Sequence, residues 1–171
     1  NVVCSDFDRS YDFYTKVVGL HPLTSSSART DAAGNSDGPS RAGMRPGEGR
    51  SGPNDGPAIA AALGFEGTGE YRGCFLYFGS SARGPYIDLL EWKDPAPPVE
   101  RSARNIGLAR VAFEVDNLEE HLERLEQHGV PLVSPPTDVL LGVTRLRVVC
   151  FRDPDGVLLE FVEFAKKAWG A

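Results

Sequence analysis

Two acidic residues in matching strands are where this chain of 171 residues could do chemistry. The segment Gly84-Pro85-Tyr86-Ile87-Asp88-Leu89-Leu90-Glu91-Trp92 reads glycine, three residues, an acid, two apolar residues, glutamate, aromatic. Gly156-Val157-Leu158-Leu159-Glu160-Phe161-Val162-Glu163-Phe164 repeats that pattern at an offset of 72 residues. Apolar residues on both sides of each run predict strands covered on both faces. A carboxylate in the middle of such a strand is costly to bury without a partner. Asp88 and Glu160 therefore each call for one.

Other chemistries lack their residues. His21 follows the first helix in a Gly-Leu-His-Pro run and reads as a surface residue. His121 and His128 lie beside Glu120, Glu123 and Glu126 and predict a solvated helix face, so no histidine completes a metal site or a nucleophilic triad. The hydroxyl run Thr24, Ser25, Ser26 and Ser27 has no nearby base, and no GxSxG is present. No GKS or GKT marks a phosphate loop, and no GxGxxG opens a helix after a strand, so neither nucleotide nor flavin cofactors are indicated. Cys4, Cys74 and Cys150 show no CxxC spacing and an odd count, which points away from disulfides and structural zinc and towards a reducing cytoplasm. They read as small, half-buried strand residues. The N-terminal residues form neither the basic nor the apolar region of a signal peptide, and no run of about 18 apolar residues predicts a membrane helix. A net charge of −6 without a basic stripe argues against nucleic acid as a partner.

The elements that position the acids also repeat. Val2-Val3-Cys4-Ser5-Asp6 and Val111-Ala112-Phe113-Glu114-Val115-Asp116-Asn117 are short apolar runs, aligned at an offset of 111 residues. Each ends in a side chain, Asp6 or Asn117, suited to accept from the first N–H groups of a helix. One helix runs through Tyr11, Phe13, Tyr14, Val17 and Val18 to Gly19. The other runs through Leu118, Leu122 and Leu125 to Gly129. Strands are expected at Gly73–Phe78, at Thr144–Phe151, and near Val139–Val143. The turn Asp153-Pro154-Asp155-Gly156 leads into the Glu160 strand. The two offsets differ by 39 residues, and residues 24–70, with 10 of the 19 glycines and few large apolar side chains, account for the difference. That excursion is too polar to fold alone, apart from a helical turn or two at Ala58–Leu63. Long loops of this kind often close over pockets.

The expected class is α+β: two βαβββ modules, each reading strand, helix and then about three strands. The first spans 1–92 and carries the long Gly/Ser/Pro-rich insertion at 24–70. A linker at 93–106, the second module at 107–165 and a tail at 166–171 complete the chain.

These paired modules, with SDFDRSYDFYTKVVGL, YIDLLEW, GLARVAFEVDNLEEHLERLEQHGV and FRDPDGVLLEFVEF, resemble the vicinal oxygen chelate superfamily of glyoxalases, bleomycin-resistance proteins and extradiol dioxygenases. The resemblance covers essentially everything except 24–70. It implies cupped mixed β-sheets around a pocket, with one metal ligand from each module's first strand and an acid from its last. The last-strand positions fall on Asp88 and Glu160. The first-strand position of the second module falls on Arg110, and that of the first falls upstream of Asn1. A guanidinium has no accessible lone pair and cannot ligate a metal. The expectation is therefore a site without a metal cofactor, in which Arg110 supplies the positive charge between the two acids. Should a divalent ion such as Mn2+, Ni2+, Fe2+ or Zn2+ bind, Asp88 and Glu160 would hold it.

With Arg110 where the resemblance implies a ligand, the expectation is a metal-independent enzyme of this fold performing isomerisation, cyclisation or elimination on a carbonyl- or enol-type metabolite. The Arg-, Ala-, Gly- and Pro-rich composition points to bacterial specialised metabolism. Glu160 and Asp88 would move protons and Arg110 would stabilise an oxyanion. Residues two apart share a strand face, so the substrate-binding candidates are Tyr86, Leu90, Trp92, Ala112, Glu114, Leu158, Val162 and Asn1. Two alternatives stand beside it. One is a non-catalytic drug- or metabolite-binding protein of the antibiotic-resistance kind. The other is a divalent-metal glyoxalase, epimerase or dioxygenase using a histidine upstream of Asn1. A small-molecule ligand, a homodimer and a cytoplasmic location are expected in each case, with no membrane partner.

Overall fold

The computed structural model describes residues 1–23, 56–67, 69–80, 85–99 and 102–165. Most of the 24–70 excursion, and with it the expected lid, lies outside the described residues. The chain forms two compact units, Asn1–Pro98 and Val99–Ala171. No helix among the described residues is long and apolar enough to cross a membrane.

In the first unit, β1 (Val2–Val3), β2 (His21–Pro22), β3 (Tyr71–Tyr77) and β4 (Tyr86–Trp92) make a sheet in the order β1-β4-β3-β2. The β1–β4 pair is parallel and the others antiparallel. Between β1 and β2 runs α1 (Phe7–Asp12), which widens into a π-helical stretch at Phe13–Val18 and ends at Gly19. Gly19 has φ 88°, the left-handed conformation that glycine adopts without a side-chain clash. Here α2 (Gly56–Leu63) agrees with the helical turns expected at Ala58–Leu63. Phe7, Tyr14 and Val18 from the helix and Val2, Leu76 and Leu89 from the strands form the buried core.

The second unit repeats this plan. β5 (Val111–Glu114), α3 (Leu118–Gln127), β6 (Thr137–Leu141), β7 (Thr144–Arg152) and β8 (Leu158–Phe164) give a sheet ordered β5-β8-β7-β6. Again the first and last strands pair in parallel. Leu118 and Leu125 of α3, with Phe151, Leu159 and Phe161, make its core. β6 starts and stops two residues earlier than the expected Val139–Val143, because Gly142, at φ 61°, turns the chain towards β7. The β7–β8 turn is held by Asp153, which accepts from Asp155 N at 3.0 Å and Val157 N at 2.7 Å, with Gly156 at φ 85°.

The registers match the sequence offsets. Val2 lies opposite Leu89, and Phe113 opposite Phe161, which are the same two positions 111 and 72 residues on. Even an ion pair repeats: Arg72 of β3 donates to both carboxylate oxygens of Asp8 at 2.8 and 2.6 Å, and Arg147 of β7 pairs with Glu119 of α3. Each such pair ties a helix to its own sheet, and the Arg72 guanidinium also stacks 4.3 Å above the Phe7 ring. The Arg72 guanidinium also holds the Asp8 carboxyl below its ordinary range.

Three expectations are corrected. Asn117 does not cap α3; its amide donates to Glu120 Oε1 at 2.8 Å. Asp6 does cap α1, accepting from Arg9 N at 3.0 Å. His121 is not on a solvated face: it is half-buried, with its ring 4.7 Å from that of Phe161 and Nδ1 3.0 Å from Asn117 O. Finally, the Asp88 and Glu160 strands are not covered alike on both faces. The face towards the helix is closed, whereas on the other face Tyr86 and Phe164 are exposed.

The contrast in capping gives a direct test. Asp6→Ala is expected to lower unfolding stability by about 1 kcal/mol, and Asn117→Ala by a few tenths, since only the first removes a partner of a helix N–H. Denaturant titration of both variants measures the difference.

Candidate functional site

In the second unit the parallel pairing of β5 with β8 sets the geometry. Ala112 lies opposite Glu160 and Glu114 opposite Val162, so all four side chains project on the face away from α3. Arg110, two residues before Ala112, falls on the same face. Its Nε lies 2.9 Å from Glu160 Oε2. Glu160 is buried, with 12% of its side chain exposed, whereas the Arg110 side chain is 49% exposed. An ion pair of this kind has a desolvated carboxylate and a guanidinium whose remaining N–H groups still face solvent. Leu158 is buried and Val162 half-buried beside Glu160, which makes the surroundings of the pair apolar. Ala112 and Glu114 are exposed.

A residue that sequence reasoning left among the inert ones completes the group. Cys150 of β7 lies opposite Glu160, and its Sγ is 3.5 Å from Glu160 Oε2. Burial pushes the Cys150 thiol up, and the Glu160 carboxylate adds to the rise while Arg110 opposes it. The thiol therefore remains a donor. Counting both strands outwards from the Asp153–Gly156 turn would have found this contact, because a hairpin's register follows from its turn.

In the first unit Asp88 sits in the middle of β4, half-buried and opposite Phe75. Its face carries aromatic rings. Trp92, opposite Tyr71, packs edge-to-face against Tyr71 and Phe65, each with its ring centre 5.3 Å away. Tyr86 is exposed and packs edge-to-face on Phe75 at 6.2 Å. Leu90 is buried opposite Val3 and Gly73. A Cβ on Gly73 would meet Leu90 Cδ2 at 2.6 Å and Leu89 O at 2.8 Å, so the glycine makes room for Leu90. Asn1 is exposed beside this sheet's first strand. Phe65 and Tyr71 carried no sequence signal, since neither belongs to the repeated motifs. Of the three expected catalytic side chains, Arg110 and Glu160 meet within one unit, and Asp88 belongs to the other.

The residues present do not suit the divalent metal that this architecture often holds. Arg110 stands at the position from which the second unit would offer a ligand, has no lone pair to donate, and already engages the carboxylate oxygen a metal would use. Among the described residues no group of three His, Cys, Asp or Glu side chains is arranged to hold an ion.

Residues 1–161 match the family model described as the Glyoxalase/Bleomycin resistance protein/Dioxygenase superfamily. The chain belongs to that superfamily. Among solved structures it is similar to a glyoxalase family protein from Bacillus cereus, with 18% identity, TM-score 0.60, and coverage of 95% of this chain and 89% of the other. A glyoxalase/bleomycin resistance protein/dioxygenase domain from Frankia sp. EAN1pec gives 17% identity, TM-score 0.56, and coverage of 97% and 89%. At these identities the likeness concerns the fold. YaeR, an uncharacterised protein of Escherichia coli (strain K12), is 37% identical over 82 residues, which make up 47% of this chain and 60% of that relative. The match thus spans less than two thirds of YaeR.

Two tests follow from this geometry. Arg110→Ala is expected to cost about 1–2 kcal/mol, more than an exposed surface pair because Glu160 is left desolvated, and less than a fully buried pair because Arg110 is half exposed. Calorimetry or denaturant melts of the variant measure it. The second concerns pH. Burial, reinforced by Asp88 and Cys4 against the opposing Arg72, pushes the Cys74 thiol from 9.0 up to about 12. The folded state therefore holds this proton more tightly than the unfolded state. Its contribution to stability is complete below pH 9.0 and is lost as pH climbs towards about 12. Melts across that range are expected to show an alkaline loss that Cys74→Ala reduces.

Proposed function

We propose that this member of the superfamily is a metal-independent enzyme that moves a proton on a small molecule carrying a carbonyl or enol group. The observation that carries the reading is the Arg110–Glu160 pair, 2.9 Å apart on the face of β8 where the architecture otherwise presents metal ligands. A fixed positive charge there can stabilise an enolate oxygen as it develops. Glu160, seated between Leu158 and Val162, takes or returns the proton on the adjacent carbon. Reactions built from those two acts are isomerisation, cyclisation and β-elimination. Asp88 is the second proton carrier in this reading, and Tyr86, Leu90 and Trp92 form the apolar bed on its own sheet. In this reading the enzyme acts in the cytoplasm as a homodimer, on neither nucleic acid nor membrane; the charge of −6 supports the exclusion of nucleic acid.

A specific observation favours a second reading. Trp92, with Tyr71 and Phe65 packed edge-to-face against it, offers an apolar platform to an aromatic ligand. A drug- or metabolite-binding protein would use that platform without chemistry.

Exchange of carbon-bound protons in D2O, followed by NMR, separates these readings with a panel of cyclic ketones, phenols and antibiotic-like compounds. The expected result is exchange that persists in the presence of a chelator and falls by roughly 10²-fold or more in Glu160→Gln. Exchange abolished by the chelator and restored by Mn2+, Ni2+, Fe2+ or Zn2+ would overturn the metal-independent reading. Tight binding of a panel compound that is recovered unchanged and unexchanged would establish the binding protein instead.

A further inference from the structure

We infer that Cys150 is a positioning residue for Glu160: its thiol donates to Oε2, so that Oε2 is held from two sides and Oε1 becomes the oxygen that meets a ligand. The inference uses atoms that the proposed function does not need. Arg110 Nε lies 2.9 Å from Oε2 and Cys150 Sγ lies 3.5 Å from the same oxygen. Both partners thus converge on one carboxylate oxygen, and no hydrogen bond among the described residues engages Oε1. The carboxylate belongs to a residue that is only 9% exposed, whose strand is fixed by pairing on both sides, with Ala112 on β5 and Cys150 on β7. What is left for the side chain to choose is the rotation of its carboxyl group. The ion pair with Arg110 and the hydrogen bond from Cys150, both at Oε2, set that rotation.

The register makes the contribution of Cys150 distinct from that of a core residue. Phe75 occupies the matching place opposite Asp88 in the first unit, and a phenyl ring has no proton to donate. Replacing a ring by a thiol at this place exchanges packing volume for a donor. A thiol is a weak donor, and it is well suited to orienting a carboxylate that Arg110 already balances. Its proton stays on sulfur, since burial and the neighbouring negative charge both favour the neutral thiol.

The use of Oε1 for proton transfer rests on the proposed function, whereas the hold on Oε2 does not, and the test treats the two separately. Infrared difference spectra between the native chain and Cys150→Ser isolate the S–H stretch of Cys150. The expected band lies below the frequency of a free thiol and moves back towards it in Glu160→Leu, which leaves no acceptor for the thiol. An S–H band that Glu160→Leu leaves in place would overturn the inference, whatever the protein catalyses. In the D2O exchange assay, Cys150→Ala is expected to lower the maximal exchange rate about five-fold with little change in half-saturating concentration, the size expected from one weak hydrogen bond. Cys150→Ser, which keeps a donor, is expected to recover most of that loss. Equal losses in Ala and Ser variants would mark Cys150 as packing only and overturn its positioning role. Absence of exchange in the native chain would instead count against the proposed function, leaving the infrared result to decide the hold on Oε2.

Discussion

The buried carboxylate of Glu160 is the constraint around which the second unit is arranged. A charge in the middle of a strand, between Leu158 and Val162, is unfavourable unless something nearby offsets its lost hydration. The parallel pairing of β5 with β8 brings Arg110 to it, and the antiparallel hairpin β7–β8 brings Cys150. Shift either pairing by one residue and the side chain offered to Glu160 comes from the opposite face. The turn at Asp153–Gly156, with its two N–H groups bound by one carboxylate, is therefore part of the site even though it touches none of its members.

The helix side of each sheet does different work. Asp8–Arg72 and Glu119–Arg147 recur at equivalent places and bind each helix to its own sheet. These pairs are largely exposed, so each contributes modestly to stability. Their value lies in direction: they fix where the helix sits, and the apolar side chains beneath supply the stabilisation. Leu89, Leu159 and Phe161 alternate with Asp88 and Glu160 along β4 and β8, so packing the helix against one face commits the acids to the other.

Much of this was legible before any coordinates. The two offsets found by aligning short motifs reappear as strand register, because a repeat of sequence in this architecture is a repeat of pairing. The acids, Arg110 and the residues two apart from them fell on the expected faces, since strand alternation is a strict periodicity. What was missed depended on partners distant in sequence or on competition between local options. Asn117 resembles a cap, yet Glu120 three residues on offers its amide a better acceptor. His121 stands among glutamates, yet its ring packs on Phe161. Cys150 reads as a small apolar residue until the β7–β8 register places it against an acid. Phe65 reaches Trp92 from outside any repeated element.

The two units diverge where the site lies and agree where the fold is made. Under the repeat, Val2 and Phe113 are equivalent, as are Leu89 and Phe161; all four are apolar and buried. On the opposite face the equivalent of Cys150 is Phe75, and the neighbours of Asp88 are aromatic where those of Glu160 are aliphatic and charged. The differences gather on the acid-bearing faces, which carry aromatic rings in the first unit and a charge pair in the second. Superfamily membership accounts for the shared scaffold. What distinguishes the second unit is the ion pair of Arg110 with Glu160, backed by the Cys150 thiol.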